Sequence, residues 1–219
     1  MIVAVEGNIG SGKTTLLKYL ENVDFGYKKI IIYEQVDEWK NLKDNSGNNM
    51  FELFYNETKK YSYLFQSYVL FSRITHLLNT IKENPNNLII CERSHLTDLM
   101  VFAQSLFEMG DLNDMEFTVY KKWHTLISEM YKIEIDKIIY VNTSPEKCLE
   151  RIKKRSREGE NVISLEYLTI LYNKHESWLN NKNENILILE GNYDINEKKL
   201  YQINIEKIIN FIKNNYLLF

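Results

Sequence analysis

A glycine-rich stretch near the N-terminus constrains the fold of this chain more than any other feature. It fits the pattern G-x-x-x-x-G-K-[ST] in full, with the apolar run IVAV before it and an amphipathic segment after it. A strand, a tight turn and a helix in this order are the context in which the pattern binds phosphate. The stretch and the threonine that follows it consist of Gly7, Asn8, Ile9, Gly10, Ser11, Gly12, Lys13, Thr14 and Thr15.

The residue types in this loop suit a triphosphate. Glycines let the backbone curl so that successive N–H groups point at phosphate oxygens, and the following helix adds the positive end of its dipole. Lys13 would neutralise charge on the β- and γ-phosphates, and the Thr14 hydroxyl would bind Mg²⁺. A chance glycine-rich turn is the alternative, and the flanking strand and helix argue against it. We expect ATP, or another nucleoside triphosphate, with Mg²⁺; the loop does not identify the acceptor.

Along the rest of the chain, short apolar runs alternate with longer helical patterns. The runs predict strands at residues 2–5, 29–33, 88–91, 137–141 and 186–189, each covered on both faces. The helical segments are 13–22, 49–83, 96–131, 145–155, 164–180 and 198–216, of which the second and third each hold more than one helix. This alternation predicts an α/β protein, with a five-stranded parallel sheet between two layers of helices. No boundary divides residues 1–219, so we expect a single domain.

Composition narrows the functional classes. The formal net charge is -3 and 44% of the residues are hydrophobic, so neither a strongly basic surface for nucleic acid nor an acidic disordered tail is expected. No run approaches the ~20 apolar residues that span a bilayer. Cys91 and Cys148 lie in apolar-periodic segments and are expected to be buried, reduced thiols. We expect a cytoplasmic protein that binds neither nucleic acid nor membranes.

Two carboxylates fall at the ends of predicted strands, where ligands bind in parallel sheets. Glu34 follows the second strand, and Glu92 follows the third and is joined to Arg93. Glu34 is suited to take a proton from an attacking hydroxyl, and Glu92 to hold Mg²⁺ directly or through water. Arg93 would reach a transferring phosphoryl group or fix Glu34. The alternative is that both carboxylates are solvated loop residues.

Three arginines follow the fourth strand. Arg151 and Arg155 are four residues apart and share one helical face, while Arg157 lies in a charged stretch, about residues 155–161, that resembles a lid. Such a segment closes over a triphosphate, supplies positive charge and excludes water. A solvated helix end is the alternative, because basic residues at a helix C-terminus complement its dipole.

Several motifs in the same order as here are found in the deoxynucleoside kinase family, which the chain resembles over residues 2–189. They are GNIGSGKTT, YEQVDEW, FQSYVLFSRI, CERS with Asp98 after it, TSPEKCLERIKKRSRE, and LEYL with YNKHESWL. The resemblance implies a three-layer α/β/α P-loop kinase fold. It also implies transfer of the γ-phosphate of a nucleoside triphosphate to the 5′-hydroxyl of a deoxynucleoside, in nucleotide salvage. A homodimer formed through long helices is a further implication.

The resemblance also implies roles for single residues. Glu34 is similar to the family's general base, Arg93 to the arginine near the reacting phosphoryl group, and Glu92 to the carboxylate near Mg²⁺. Lys13 would stabilise the transferring charge. The arginines that correspond to the lid contacts over the donor phosphates are Arg151, Arg155 and Arg157, and Asp194 falls where the family contacts the donor base.

For the acceptor, the resemblance implies a pair that holds the sugar 3′-hydroxyl, a glutamine on the base edge, two rings around the base and a tryptophan at the pocket wall. These are, in that order, Tyr55 with Glu160, Gln66, Phe65 with Phe102, and Trp39. From spacing alone the rings would be core residues, and Tyr55 and Gln66 ordinary helix residues.

The identity of the accepted base is predicted from Arg73 and Asp98, a charged pair that resembles deoxycytidine and deoxyguanosine kinases. Such a pair fills the space that a thymine methyl group needs and offers hydrogen bonds to a base that carries an amino group. We therefore expect deoxycytidine and purine deoxynucleosides rather than thymidine. Val69, which narrows the pocket floor, and Leu99 depart from the pattern of those kinases.

Three other functions fit the phosphate loop. A nucleoside monophosphate kinase, such as a thymidylate kinase, would need a cation for the acceptor phosphate where this chain has Glu34. A P-loop switch or assembly ATPase would require an acidic Walker B strand and a residue that positions water, and neither appears in this sequence. A binding-only pseudoenzyme would have lost a catalytic position, and each position is filled here.

Overall fold

The computed structural model describes residues 1–157, 160–180, 183–193 and 198–213. Five parallel strands form one sheet in the order β2-β3-β1-β4-β5. The strands are β1 (Ile2–Glu6), β2 (Lys29–Ile32), β3 (Leu88–Glu92), β4 (Lys137–Asn142) and β5 (Ile186–Glu190). All five predicted strands are therefore confirmed.

The helices connect these strands. They are α1 (Lys13–Leu20), α2 (Val36–Asn41), α3 (Met50–Asn56), α4 (Thr58–Glu83), α5 (His95–Thr97), a π-helical turn (Asp98–Ala103), α6 (Gln104–Glu108), α7 (Asp114–Tyr131), α8 (Pro145–Arg155), a 3₁₀ turn (Glu160–Val162), α9 (Leu165–Leu179) and α10 (Lys198–Lys213). Capping residues fix where two of these helices begin. Asn113 makes a capping box with Glu116 at the start of α7, and Ser144 caps α8 directly before Pro145.

Two apolar layers lie on opposite faces of the sheet. Val3 and Val5 of β1 pack on one side with α1 and α10, and Ala4 packs on the other with α3, α4 and α7. This alternation along a strand is what a sheet covered on both faces requires. The three-layer α/β/α arrangement expected from the sequence is confirmed, and the carboxyl ends of β1 and β3 open towards the phosphate loop.

Two details differ from the sequence-based expectation. The strands β2 and β5 are only partly buried, because they form the two edges of the sheet and lack a neighbour on one side. The helix α2 was not predicted; it is six residues long and has one buried side chain, Trp39, so its periodicity is too short to detect.

Both cysteines, Cys91 and Cys148, are buried and free, as expected. None of the helices in the described part of the chain combines the length and the apolar character that crossing a bilayer requires.

Candidate active site

A cavity of about 570 Å³ lies beyond the carboxyl ends of the strands, between the phosphate loop, α3, α4 and the segment that follows β3. It brings together nearly all of the residues singled out in the sequence. Those that line it are Ile9, Gly10, Ser11, Gly12, Lys13, Thr14, Thr15, Glu34, Trp39, Tyr55, Phe65, Gln66, Val69, Arg73, Glu92, Arg93, Asp98, Phe102, Arg151, Arg155, Arg157 and Glu160.

The phosphate loop needs glycine at two positions where another chain element lies close. Gly7 has φ +143°, and a Cβ atom there would lie 2.7 Å from the carbonyl oxygen of Val141. Gly10 has φ +79°, and its Cβ would lie 2.7 Å from the carbonyl oxygen of Cys148. Any larger residue would push the loop off β4 or α8, so the loop keeps its shape only with glycine at both positions.

Lys13 lies inside this loop. Its Nζ donates hydrogen bonds to the carbonyl oxygens of Gly7, at 3.1 Å, and Asn8, at 2.8 Å. Burial, together with the nearby Arg93 guanidinium, lowers the pKa of Lys13 to about 8. A buried ammonium group held by neutral carbonyls gains from an anion, and the hydroxyl of Ser11, which is buried without a partner in the described part of the chain, adds a donor beside it. The loop therefore fits a triphosphate.

Two residues of the loop do not line the cavity. Asn8 is buried, and its side-chain amide donates a 2.8 Å hydrogen bond to the carbonyl oxygen of Leu168 in α9. The carbonyl oxygen of Gly7 accepts from both Lys13 and Arg93. These residues shape the loop, and any contact they make with phosphate would come from the backbone.

Thr14 and Glu92 are neighbours across the cavity floor. The Thr14 hydroxyl lies 2.8 Å from Oε1 and 3.1 Å from Oε2 of Glu92. A hydroxyl and a carboxylate at this spacing are hard oxygen ligands of the kind that Mg²⁺ prefers, with phosphate oxygens and water completing its shell. In the described ranges no cluster of three or more His, Cys, Asp or Glu could hold a metal by itself. The site therefore fits a magnesium ion that arrives with a nucleotide.

Glu34 is bracketed by two buried guanidinium groups. Its Oε1 lies 3.3 Å from Nη2 of Arg73 and 3.1 Å from Nε of Arg93. Burial alone would raise the pKa of Glu34, but Arg93, Arg73 and Lys13 outweigh it and hold the pKa at about 2. The carboxylate is therefore ionised at neutral pH and faces the cavity as a hydrogen-bond acceptor.

Arg93 has an unusual backbone conformation, with φ +64°. A positive φ is uncommon for a residue with a side chain and occurs where the surrounding structure enforces it. From this position Nη1 donates a 2.8 Å hydrogen bond to the carbonyl oxygen of Gly7, and the guanidinium stacks 4.9 Å from the ring centre of Phe102. Arg93 thus joins the phosphate loop to the wall that carries Glu34.

The buried pair Arg73 and Asp98 forms another wall. Nε of Arg73 donates a 2.9 Å hydrogen bond to Oδ2 of Asp98, and Nη1 donates to the carbonyl oxygen of Glu92 at 3.0 Å. Burial raises the pKa of Asp98 to about 6, in spite of the opposing effect of Arg73. The π-helical turn carries Asp98 and Phe102 to the cavity together, since residues four apart share a face.

Aromatic side chains line the part of the cavity farther from the loop. Phe65 stacks on Phe54, with ring centres 4.5 Å apart and planes 20° apart, and meets the edge of Trp39 at 5.9 Å. The Trp39 indole N–H donates a 2.9 Å hydrogen bond to the hydroxyl of Ser72. Beside them, the buried Oε1 of Gln66 has no partner in the described residues. An apolar slot with one unpaired acceptor suits a flat ligand that carries a donor.

The arginines after β4 are already engaged. Nε and Nη2 of Arg155 donate to the two carboxylate oxygens of Glu160 at 2.7 and 2.5 Å, and Arg157 lies 3.5 Å from the same carboxylate. Arg151 instead donates to three backbone carbonyl oxygens, those of Ser11, Gly191 and Tyr193. Arg151 therefore ties the phosphate loop to the segment after β5. Asp194, the expected contact to the donor base, lies outside the described residues.

Comparison with known proteins identifies the family. The sequence profile of the deoxynucleoside kinases matches residues 3–216. The chain belongs to this family. It is 35% identical over 240 aligned residues to deoxycytidine kinase 2 of Gallus gallus, covering 97% of this chain and 89% of that protein. It is also similar to a probable deoxycytidine kinase of fowlpox virus (strain NVSL), at 33% identity over 98% of this chain and 89% of the relative. The mitochondrial deoxyguanosine kinase of Xenopus laevis is 35% identical over 82% of this chain and 73% of its own length.

The chain is therefore a deoxynucleoside kinase, and hence a phosphotransferase, as the motifs implied. Sequence reasoning missed some residues of this kinase's cavity. Tyr167 of α9 lines the cavity and packs, like Tyr55, against the buried cluster that contains Leu168. Asn204 of α10 lines the cavity close to the end of β5, where its side-chain amide donates to the carbonyl oxygen of Glu190. No chemical pattern surrounds either residue in the sequence; their position follows from how α9 and α10 pack. Glu6, the buried last residue of β1, lies one residue beyond the predicted strand 2–5 and was not singled out in the sequence.

Proposed function

We propose that this kinase transfers the γ-phosphate of ATP, or of another nucleoside triphosphate, to the 5′-hydroxyl of deoxycytidine and purine deoxynucleosides rather than thymidine. The observation that carries the proposal is the position of Glu34 in the cavity, between Arg73 and Arg93. A carboxylate held ionised by Arg73 and Arg93, in the cavity that also contains the phosphate loop, suits a free hydroxyl as acceptor. An acceptor that already carries a phosphate would be repelled there.

In the reaction, the 5′-oxygen forms a bond to the γ-phosphorus while the bond from that phosphorus to the β–γ bridging oxygen breaks, releasing ADP. The proton of the hydroxyl passes to Glu34. Because the pKa of Glu34 is about 2, this carboxylate is a weak base, and we expect it to orient the hydroxyl throughout and to accept the proton late. That suits a loose phosphoryl-transfer transition state, in which positioning and charge stabilisation dominate.

Charge on the transferring group is stabilised by Lys13 and Arg93. Thr14 and Glu92 would hold Mg²⁺, which neutralises phosphate charge when bound. Arg155 and Arg157 are proposed to move from Glu160 to the donor phosphates, because a triphosphate offers them more negative charge than one carboxylate does. We propose that residues 1–219 form a single kinase domain, and that the lid, at about 155–161, is part of it.

The acceptor is proposed to lie between Phe65 and Phe102, with its sugar 3′-hydroxyl at Tyr55 and Glu160. Its base edge would meet Gln66 and the Arg73–Asp98 pair. Cytosine, adenine and guanine each carry an exocyclic amino group that can donate to the Asp98 carboxylate. Thymine has no such amino group and adds a methyl group. The names of the chicken, fowlpox and frog relatives agree with this preference.

We propose that the kinase is a homodimer. Large apolar side chains are exposed along one face of α7, namely Met115, Trp123, Leu126 and Met130, and α4 exposes Leu64 and Phe71. The helices α4 and α7 pack against each other, so a second copy could cover both faces at once. The cytoplasm is the compartment we propose, since free cysteines suit a reducing environment.

The test is phosphate transfer from ATP and Mg²⁺ to each of the four deoxynucleosides and to the corresponding monophosphates. Transfer to deoxycytidine and a purine deoxynucleoside, with little to thymidine, is expected. Equal kcat/KM for thymidine and deoxycytidine would contradict the base preference alone. Transfer to monophosphates but to no nucleoside would contradict the assignment of the acceptor.

A further inference from the structure

Glu6 is a fully buried carboxylate that the proposed reaction does not use. It is the last residue of β1 and directly precedes Gly7, the first residue of the phosphate loop. Its Oε1 accepts hydrogen bonds from the backbone N–H of Ser94, at 2.9 Å, and from the Ser94 hydroxyl, at 2.7 Å. Its Oε2 accepts from the hydroxyl of Thr97. Burying a carboxylate is costly unless such donors compensate it, so three donors converging on one side chain indicate a specific role.

The donors all belong to the corner where the chain leaves β3. Arg93, the residue with φ +64°, lies directly before Ser94. The backbone N–H of Arg93 donates to the carbonyl oxygen of Val5 at 3.0 Å, and the backbone N–H of the next residue, Ser94, donates to Glu6. The end of β1 therefore holds the backbone on both sides of the Arg93 Cα atom. A conformation of this kind persists only where its surroundings enforce it, and these two contacts do so.

The enforced conformation decides where the Arg93 side chain points. Its Nη1 reaches the carbonyl oxygen of Gly7, at 2.8 Å, and its Nε lies 3.1 Å from Glu34. Glu6, which holds the corner, and Gly7, which receives the guanidinium, are consecutive in the chain. A shift of the corner would therefore move Arg93 relative to both the phosphate loop and Glu34.

We propose that Glu6 is a positioning residue, whose carboxylate fixes the Arg93 corner so that the guanidinium stays between the phosphate loop and Glu34. The proposal rests on the roles proposed above for Arg93 and Glu34. It assigns no contact between Glu6 and a substrate; the proposed effect of Glu6 on phosphate transfer runs through the position of Arg93.

The first test is Glu6→Gln, which keeps the shape of the side chain but replaces one acceptor oxygen with a donor group. We expect kcat to fall by about 10- to 100-fold, since small displacements of catalytic groups have effects of this size. The KM for ATP should stay within about threefold, because the loop itself is intact. A kcat equal to that of the wild type would overturn the proposal.

A double-mutant cycle separates positioning from a general structural effect. If Glu6 acts through Arg93, then Glu6→Gln in an Arg93→Ala background should change kcat by less than about twofold. The full loss persisting in that background would overturn the proposal. The matched control is Glu176→Gln, which removes a carboxylate that accepts hydrogen bonds from Tyr140 and Asn142 and does not line the cavity. It should keep the wild-type kcat.

A structural readout needs no acceptor and so separates this proposal from the proposed function. In a crystal structure of Glu6→Gln, or of the milder Thr97→Val if the first variant does not fold, Arg93 should leave its positive φ or its contacts to Gly7 and Glu34. An unmoved Arg93 would overturn the proposal. A wild-type enzyme that phosphorylates no deoxynucleoside would instead count against the proposed function, and this crystal structure would still test Glu6.

Discussion

The guanidinium of Arg73 donates a 2.9 Å hydrogen bond to Oδ2 of Asp98, while the second carboxylate oxygen, Oδ1, is buried without a partner in the described part of the chain. An unpaired buried acceptor is costly, and a base that brings an amino group would remove that cost. Because burial raises the pKa of Asp98 to about 6, the state of this acceptor changes within an accessible pH range.

The first prediction concerns pH and the acceptor. Asp98 is an ionised acceptor above about pH 6 and a protonated donor below it, so kcat/KM for deoxycytidine should fall as the pH drops through about 6. Glu34, with a pKa of about 2, cannot cause this limb. The Asp98→Asn variant should be less efficient and lack the limb. A wild-type kcat/KM that is constant across this range would contradict the role of Asp98.

The second prediction concerns Lys13 and the donor. The pKa of Lys13 is lowered to about 8, so its positive charge is lost as the pH rises through about 8 in the free enzyme. We expect kcat/KM for ATP to decline above this pH, while kcat at saturating ATP declines only at higher pH, since bound phosphates favour the charged form. Lys13→Arg, whose charge does not titrate in this range, should lack the alkaline limb. An unchanged limb in that variant would assign the titration to another group.

The third prediction concerns the lid. Arg155→Ala should lower kcat by about 10²- to 10³-fold, because we propose that the Arg155 guanidinium moves to the donor phosphates and stabilises the transferring group. Steady-state kinetics with ATP and deoxycytidine measure this. The control is Lys153→Ala, which removes an exposed charge from the same helical turn outside the cavity. Equal activity of the two variants would contradict the proposed contact between Arg155 and the donor phosphates.

The fourth prediction concerns association. Trp123→Glu combined with Leu126→Glu places two charges on the exposed apolar face of α7 and should convert a dimer into a monomer. Light scattering coupled to size-exclusion chromatography measures the mass directly. The control is Lys121→Glu, on a different side of the same helix, which should have the same measured mass as the wild-type protein. A wild-type protein that is monomeric at all concentrations would contradict the dimer.

The parts of the fold that the sequence could predict are those with strong local patterns. The interior strands are near-continuous apolar runs because both faces are buried, and the phosphate loop needs its glycines where Val141 and Cys148 come close. The short helix α2 has no such pattern: one buried ring, Trp39, anchors it through Ser72.

Contacts between distant segments could not be predicted in the same way. The sequence indicated that Arg151 and Arg155 share a helical face, but only the fold directs Arg151 to three backbone carbonyls and Arg155 to Glu160. The positive φ of Arg93 likewise depends on contacts with β1, which is distant in the sequence. One of these contacts is the hydrogen bond from Ser94 to Glu6, which joins residues 88 positions apart.

The proposed role of Glu34 at the 5′-hydroxyl of a deoxynucleoside is tested most directly by measuring kcat for deoxycytidine in the Glu34→Gln variant. The expected result is a loss of about 10²- to 10⁴-fold, measured well below the melting temperature of the variant, which should itself fall because Glu34 neutralises two buried arginines. The exposed Glu38, which accepts a hydrogen bond from Tyr68 on the outside of α2, gives the control, and Glu38→Gln should keep full activity. A Glu34→Gln enzyme with kcat within about threefold of the wild type would contradict the proposed role.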